Sequence, residues 1–225
     1  MDVTYTTPSG IEAESMRIIG EELKDRGLTL EPGTEAVVKR VIHTTADFDY
    51  AVNLRFTKNA VERAVMALRA GASIVTDTNM ARSGVSRAAL SKLGGAVYCF
   101  MADPDVAQAA KARGTTRAVV CMEKAAREHP DGVLAVGNAP TALLKLRELM
   151  EAGVRPALVV GAPVGFVNVV ESKERIFEAC ERYDVPCVAA MGRKGGSNVC
   201  AAICNALLYT ALDAVDPARR GEKLT

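Results

Sequence analysis

The chain of 225 residues is poor in aromatic side chains: it has no tryptophan, and aromatic residues make up 4% of it. A flat ligand would therefore be contacted by aliphatic side chains and backbone rather than by stacked rings. The formal net charge is only +1, so there is no basic field of the kind that binds nucleic acid. No apolar run reaches the length of a membrane span, and the N-terminus lacks the zones of a signal peptide. These absences predict a cytoplasmic protein without nucleic-acid or membrane partners.

Metal-binding side chains are also scarce. The six cysteines form no C-x-x-C pair, and there are only two histidines, His43 and His129. Cys200 and Cys204 are spaced to share a helix face, but two histidines are too few to complete a metal site around them. Most of the cysteines lie in apolar stretches, where we expect small, buried, reduced side chains. The sequence therefore predicts no metal site.

Short apolar runs alternate with longer stretches of helical periodicity. The runs lack the alternation of a half-exposed strand, which indicates parallel strands covered on both faces. The predicted strands are Ser73–Thr76, Ala96–Phe100, Val133–Val136, Ala157–Val160 and Pro186–Ala190. The predicted helices are Ile11–Arg26, Thr34–His43, Asn59–Arg69, Pro104–Arg113, Thr116–Glu128, Ala139–Ala152, Val169–Arg182 and Ser197–Val215. The segment Phe48–Phe56 fits an extended or edge segment.

This alternation predicts a three-layer α/β/α sandwich. Its mostly parallel, five-stranded sheet would have a flavodoxin-like strand order, and the first two helices would form an N-terminal helical pair. The simplest organisation is a single domain over residues 1–225, with its core at about 11–208 and a polar tail at 216–225.

In such a sheet, ligands bind where strands end and helices begin. Four of these junctions carry glycine or small polar residues: Asp77–Met80, Gly137–Thr141, Gly161–Phe166 and Gly192–Ser197. Glycines admit a ligand to the backbone and helix starts offer free N–H groups to anions, although tight turns use the same residues. The sequence has no G-x-G-x-x-G, phosphate-binding loop or G-x-S-x-G pattern. We predict a ligand cleft here whose ligand need not be a phosphate, since carboxylates suit helix starts and arginines equally well.

His43 is the main candidate for proton transfer near neutral pH, because His129 precedes Pro130 in a turn-like stretch. His43 lies outside the apolar arc of its helix, on the same side as Lys39 and Arg40 one turn earlier. Such a histidine either caps the helix, where the dipole favours its cation, or donates a proton at the rim of a pocket.

Seven phrases of the sequence together resemble the precorrin-8X methylmutase family, which includes the cobalt-precorrin-8 methylmutases of cobalamin biosynthesis. They are Ser15–Ile19, Val41–Phe48, Ile74–Met80, Gly114–Arg117, Gly137–Leu143, Pro163–Val167 with Glu171–Lys173, and Gly192–Ser197. They occur in the family's order and span nearly the whole chain. The sequence departs from the family pattern at Asn168–Val170, where small residues are more usual.

The resemblance implies a cofactor-free isomerase that moves a methyl group from ring carbon 11 to ring carbon 12 of a corrin precursor. The product would be hydrogenobyrinic acid in the metal-free pathway, or cobyrinic acid where cobalt is already inserted. The residue that matches the family's proposed acid is His43. A homodimer and the transfer of product to other enzymes of the pathway are also implied. The ligand would be a tetrapyrrole with several carboxylates.

The same resemblance, together with the predicted cleft, suggests a set of substrate-binding residues. They are Ser15, Arg17, Thr76, Asp77, Asn79, Met80, Arg117, Asn138, Gly165, Arg193, Gly195, Gly196 and Ser197. Structural alternatives remain for several of them: close helix packing for Ser15, a solvated face for Arg17 and Arg117, and a helix cap for Asp77. Lys173, one turn into a helix, is expected to be solvated.

Two other functions fit parts of the sequence. A non-catalytic corrinoid carrier would need no acid, and His43 argues against it. A methyltransferase that uses S-adenosylmethionine would need a nucleoside pocket, whose glycine-rich turn and acidic partner we do not find. Whether the substrate carries cobalt stays open, with the phrases around Arg17 and His43 leaning toward the cobalt-containing branch.

Overall fold

The computed structural model describes residues 7–217 and 220. Its sheet has six strands: β1 (Leu54–Phe56), β2 (Ile74–Thr76), β3 (Val97–Tyr98), β4 (Val133–Val136), β5 (Leu158–Gly161) and β6 (Cys187–Ala190). Their order across the sheet is β1-β6-β5-β4-β2-β3. Strands β2 to β6 are parallel, and β1 pairs antiparallel with β6, Leu54 lying opposite Ala190.

The predicted α/β class and flavodoxin-like order are confirmed, because the five parallel strands follow the order 2-1-3-4-5 when they are numbered along the chain. The number of strands was wrong by one. The sixth strand, β1, is the end of the segment predicted to be extended or at an edge, and it does lie at the edge of the sheet. Tyr50–Asn53 of the same segment is helical instead.

Eleven helices occur among the described residues: α1 (Pro8–Asp25), α2 (Glu35–Thr45), α3 (Tyr50–Asn53), α4 (Ala60–Arg69), α5 (Asn79–Gly84), α6 (Arg87–Lys92), α7 (Pro104–Arg113), α8 (Arg117–Glu128), α9 (Pro140–Glu151), α10 (Val169–Arg182) and α11 (Ser197–Ala211). The predicted helices are all present, including the N-terminal pair α1 and α2. The last one ends four residues before its predicted end, at Ala211. Most of the predicted polar tail, 216–225, lies outside the described residues.

The sheet is buried on both faces. Alternate residues of each strand enter opposite halves of the core, so that Ile74 and Val133 pack with α1, α2, α4, α5, α6 and α11, whereas Val75 and Leu134 pack with α7, α8, α9 and α10. This double coverage explains why the strands read as continuous apolar runs. The apolar helix α11 contacts both the sheet and α2. Among the described residues, no helix is both long and apolar enough to cross a membrane.

Candidate active site

The carboxylate of Asp77 ties the end of β2 to the end of β4. It is 1% exposed and accepts hydrogen bonds from the backbone N–H groups of Gly137 (2.7 Å), Asn138 (2.9 Å) and Ala139 (2.7 Å). Burial raises the pKa of Asp77, and the three N–H donors oppose that rise. Asp77 therefore holds the loop before α9 in place, and both of its carboxylate oxygens are engaged in doing so.

Hydroxyl groups extend this network along the same edge. The single O–H of Thr76 lies within hydrogen-bonding distance of the carbonyl oxygens of Thr78 (3.0 Å) and Tyr98 (3.2 Å). The hydroxyls of Thr78 and Ser197 are 2.8 Å apart, which connects the start of α5 to the start of α11. The carboxyl ends of β2, β4 and β6 are thus joined by side chains that the sequence placed at three separate junctions.

The loops after β5 and β6 pack against each other through glycine. The N–H of Gly196 donates to Ala162 (2.7 Å), and that of Gly165 donates to Arg193 (3.2 Å). A Cβ atom on Gly195 would stand 2.4 Å from the carbonyl oxygen of Ala162, so only glycine fits there. Gly165 and Gly196 also have positive φ angles of +142° and +126°. These glycines are required by the contact between two loops, which is a structural role beside the predicted binding role.

The end of α2, which carries His43, is held at this same edge. Ala46 adopts a left-handed conformation that ends the helix. Beyond it, Asp47 and Asp49 both accept hydrogen bonds from the ammonium group of Lys194, at 2.7 and 2.6 Å. Because Lys194 belongs to the loop after β6, the ion pairs join the end of α2 to the carboxyl edge of the sheet.

His43 is exposed and lines a groove of about 420 Å³ between α1 and α2. Ser15 lies in the wall of the same groove, with Ile18, Ile42 and Phe48 among its other lining residues. The Ser15 hydroxyl donates to Ile11 within α1 at 3.0 Å and keeps its lone pairs available. The structure therefore brings together the predicted acid and one predicted binding residue from different helices.

The surroundings of His43 disfavour its cation. Partial burial and, after it, the charge of Arg40 lower the pKa of His43, while Glu12 opposes them. Glu12 bridges two arginines, Arg40 at 2.5 Å and Arg220 at 2.7 Å. Lys39, which lies on the same side of the helix as Arg40, instead extends over Gly20 of α1.

The remaining predicted binding residues differ in their availability. Arg117, the first residue of α8, is exposed, and no hydrogen bond or ion pair joins it to any residue between 7 and 217 or to Arg220. Arg193 is exposed as well and lies over the ring of Phe166 at 5.5 Å. Arg17 is paired within its own helix to Glu14 and Glu21. Three further side chains, Asn79, Met80 and Asn138, are exposed at the strand ends.

Lys173 overturns one expectation. The sequence placed it in solvent, but its side chain is fully buried and donates to the carbonyl oxygens of Gly192 (2.9 Å) and Lys194 (2.8 Å). Burial lowers the pKa of this lysine to about 8. The signal was present in the sequence, since the helical spacing puts Lys173 between Val169 and Ile176 on the buried face of α10. Burial was not predicted because lysine is a charged residue that is usually exposed.

The fold and the site define a flavodoxin-like α/β protein with polar and glycine residues at the carboxyl ends of its strands and a histidine in a groove between α1 and α2. Comparison with known proteins narrows that class. The model of the precorrin-8X methylmutase family matches residues 10–210. The chain belongs to this family, whose members are methyl-migrating isomerases.

Individual relatives agree with the family. The chain is 45% identical over 206 residues to the cobalt-precorrin-8 methylmutase of Salmonella typhimurium, covering 90% of this chain and 95% of that one. It is 43% identical over 175 residues to the precorrin-8X methylmutase of Pseudomonas aeruginosa, covering 77% and 82%. The crystal structure of precorrin-8X methylmutase from Thermus thermophilus superposes with a TM-score of 0.80 at 41% identity, over 90% of this chain and 98% of that one. The expected family and enzyme class are confirmed.

Proposed function

We propose that this enzyme moves a methyl group from ring carbon 11 to ring carbon 12 of a corrin precursor, with His43 as the proton donor. The observation that carries the proposal is the groove between α1 and α2, which is lined by an exposed histidine from one helix and a serine hydroxyl from the other. In a family of methyl-migrating isomerases, an exposed histidine in a groove is suited to transfer a proton near neutral pH.

The chemistry asks two things of these residues. A proton delivered to the conjugated ring system lets its bonds reorganise as the methyl group migrates. Substrate and product are isomers, so a proton donated by His43 must be balanced by one proton taken back within the turnover. A positioned acid of this kind contributes about 10²–10⁴ in rate.

Substrate binding brings negative charge to the site, which changes the pKa of His43. Burial and Arg40 keep the pKa of His43 low in the free enzyme, which favours the neutral ring. A corrin precursor carries several carboxylates, and Arg117 and Arg193 stand exposed to receive them. Carboxylates brought close to His43 raise its pKa, so the bound substrate generates its own proton donor.

The proposal also covers the oligomeric state of the enzyme and its location in the cell. Exposed apolar side chains cluster at the loop after β5, with Phe166 84%, Val167 76% and Val164 48% exposed. We propose that a second copy of the chain covers them in a homodimer. The enzyme then acts as one domain in the cytoplasm and passes its product on to a further enzyme of the same pathway.

Incubation of the purified protein with precorrin-8X and with cobalt-precorrin-8 separately tests the proposal. We expect the visible spectrum of one precursor to change, because methyl migration alters the conjugation, while mass spectrometry finds an unchanged mass. A carrier would bind a precursor without changing it. A product heavier by one methyl group, formed only with S-adenosylmethionine, would show a methyltransferase instead. Whichever precursor reacts faster identifies the natural substrate.

A further inference from the structure

Lys173 is a buried ammonium group that no carboxylate among residues 7–217 and 220 neutralises. Its partners are the carbonyl oxygens of Gly192 and Lys194, which flank Arg193. Burying an unpaired charge is costly, and an apolar side chain of similar length would fill the same space without that cost. Such a group is expected only where its hydrogen bonds fix something that the protein needs.

The two hydrogen bonds fix the turn that follows β6. Gly192 has a φ of +71°, and Lys173 holds the backbone carbonyl groups of the residues before and after Arg193. The carbonyl group of Arg193 itself accepts a hydrogen bond from the N–H of Gly165 at 3.2 Å. The path of the backbone is therefore set on both sides of Arg193, whose side chain remains exposed.

The same turn reaches the end of α2. Lys194, whose carbonyl oxygen Lys173 holds, donates through its own ammonium group to Asp47 (2.7 Å) and Asp49 (2.6 Å). Asp47 is four residues beyond His43. A continuous series of contacts thus runs from α10 through the turn after β6 to the segment that ends the helix of His43.

We propose that Lys173 is a positioning residue for methyl migration: it holds the turn Gly192–Gly196 so that Arg193 faces the substrate and Lys194 fixes the end of α2 beside His43. Lys173 itself touches neither the substrate nor the migrating methyl group. The inference rests on the proposed function, because it assigns Lys173 a part in the same site.

A double-mutant cycle tests the proposal, with kcat and KM measured on wild type, Lys173→Met, Lys194→Met and the double variant. We expect each single variant to lower kcat/KM by about tenfold, mainly through kcat, because the end of α2 shifts. The double variant should be no worse than the poorer single one, since both changes break the same series of contacts. Arg175→Met, an exposed cation on the same helix, is the matched control and should keep wild-type kinetics.

Two results would overturn the inference. One is wild-type kcat/KM per folded molecule in Lys173→Met, which would mean a purely structural role; the other is losses that multiply in the double variant. If Lys173→Met does not fold, Gly192→Ala is a second way to perturb the turn. The added methyl group would meet no other atom within 4 Å, but the positive φ of this residue disfavours alanine. Full turnover by Gly192→Ala would then count against the proposal. An inactive wild type would instead refute the proposed function.

Discussion

Replacing the buried carboxylate of Asp77 is expected to weaken the fold at the site itself. In Asp77→Asn, the amide keeps one acceptor oxygen, and its best orientation keeps the hydrogen bonds from Asn138 and Ala139 while its NH₂ group faces the N–H of Gly137. One buried N–H then lacks an acceptor, and the remaining two bonds lose their ionic character. Each buried donor left unsatisfied costs about 1–3 kcal/mol. Relief from burying a charge offsets part of this, so we expect a net loss of about 1–3 kcal/mol.

Urea unfolding followed by circular dichroism at neutral pH measures this loss. Asp77→Ala removes all three hydrogen bonds, so we expect a larger total loss of about 3–5 kcal/mol relative to wild type. Asp131→Asn makes the same chemical change at an exposed position and should stay within about 0.5 kcal/mol of wild type. An Asp77→Asn protein as stable as the Asp131→Asn control would refute the idea that these three hydrogen bonds hold the loop before α9.

Three shorter predictions concern recognition, pH and metal. Arg117→Lys should weaken binding of the corrin precursor by about tenfold, because an ammonium group cannot copy a bidentate contact to a carboxylate; equal affinity, with Lys111→Arg as the control, would make Arg117 a surface residue. The folded-state pKa of Lys173, about 8, lies below that of an unfolded lysine. Between those pKa values the unfolded chain binds more protons, so wild type should gain up to about 3 kcal/mol over Lys173→Met as pH rises from about 8 to 10.5. A constant difference in urea unfolding across that range would contradict this. Turnover should survive dialysis against a chelator, since among the described residues no group of three or more metal-binding side chains occurs; loss of activity that a divalent ion restores would overturn the site.

The large features of the fold were predictable because they follow from burial. Strands covered on both faces must be continuously apolar, and the runs at Val133–Val136 and Cys187–Ala190 show this directly. The short helices α3 and α5 were not predicted, because their four and six residues are too few for a period of 3.6 to show.

The sequence suggested members for the candidate site but did not give their contacts. The sequence indicated His43 and the strand-end loops, whereas the partners of Asp77 lie about sixty residues away along the chain. No local pattern encodes that pairing. Lys173 was missed for a different reason: its position on the apolar face of α10 indicated burial, and its charge was allowed to outweigh that indication.

The comparison of wild type with His43→Asn on the corrin precursor tests the central claim most directly. The account predicts that His43→Asn folds normally, because His43 is exposed. The variant should still bind the precursor through Arg117 and Arg193, with affinity weakened only by the missing charge of His43. Its turnover should fall by about 10²–10⁴, and the wild-type rate should decline as pH rises through the pKa of substrate-bound His43. A His43→Asn enzyme that migrates the methyl group at the wild-type rate would contradict the assignment of His43 as the proton donor.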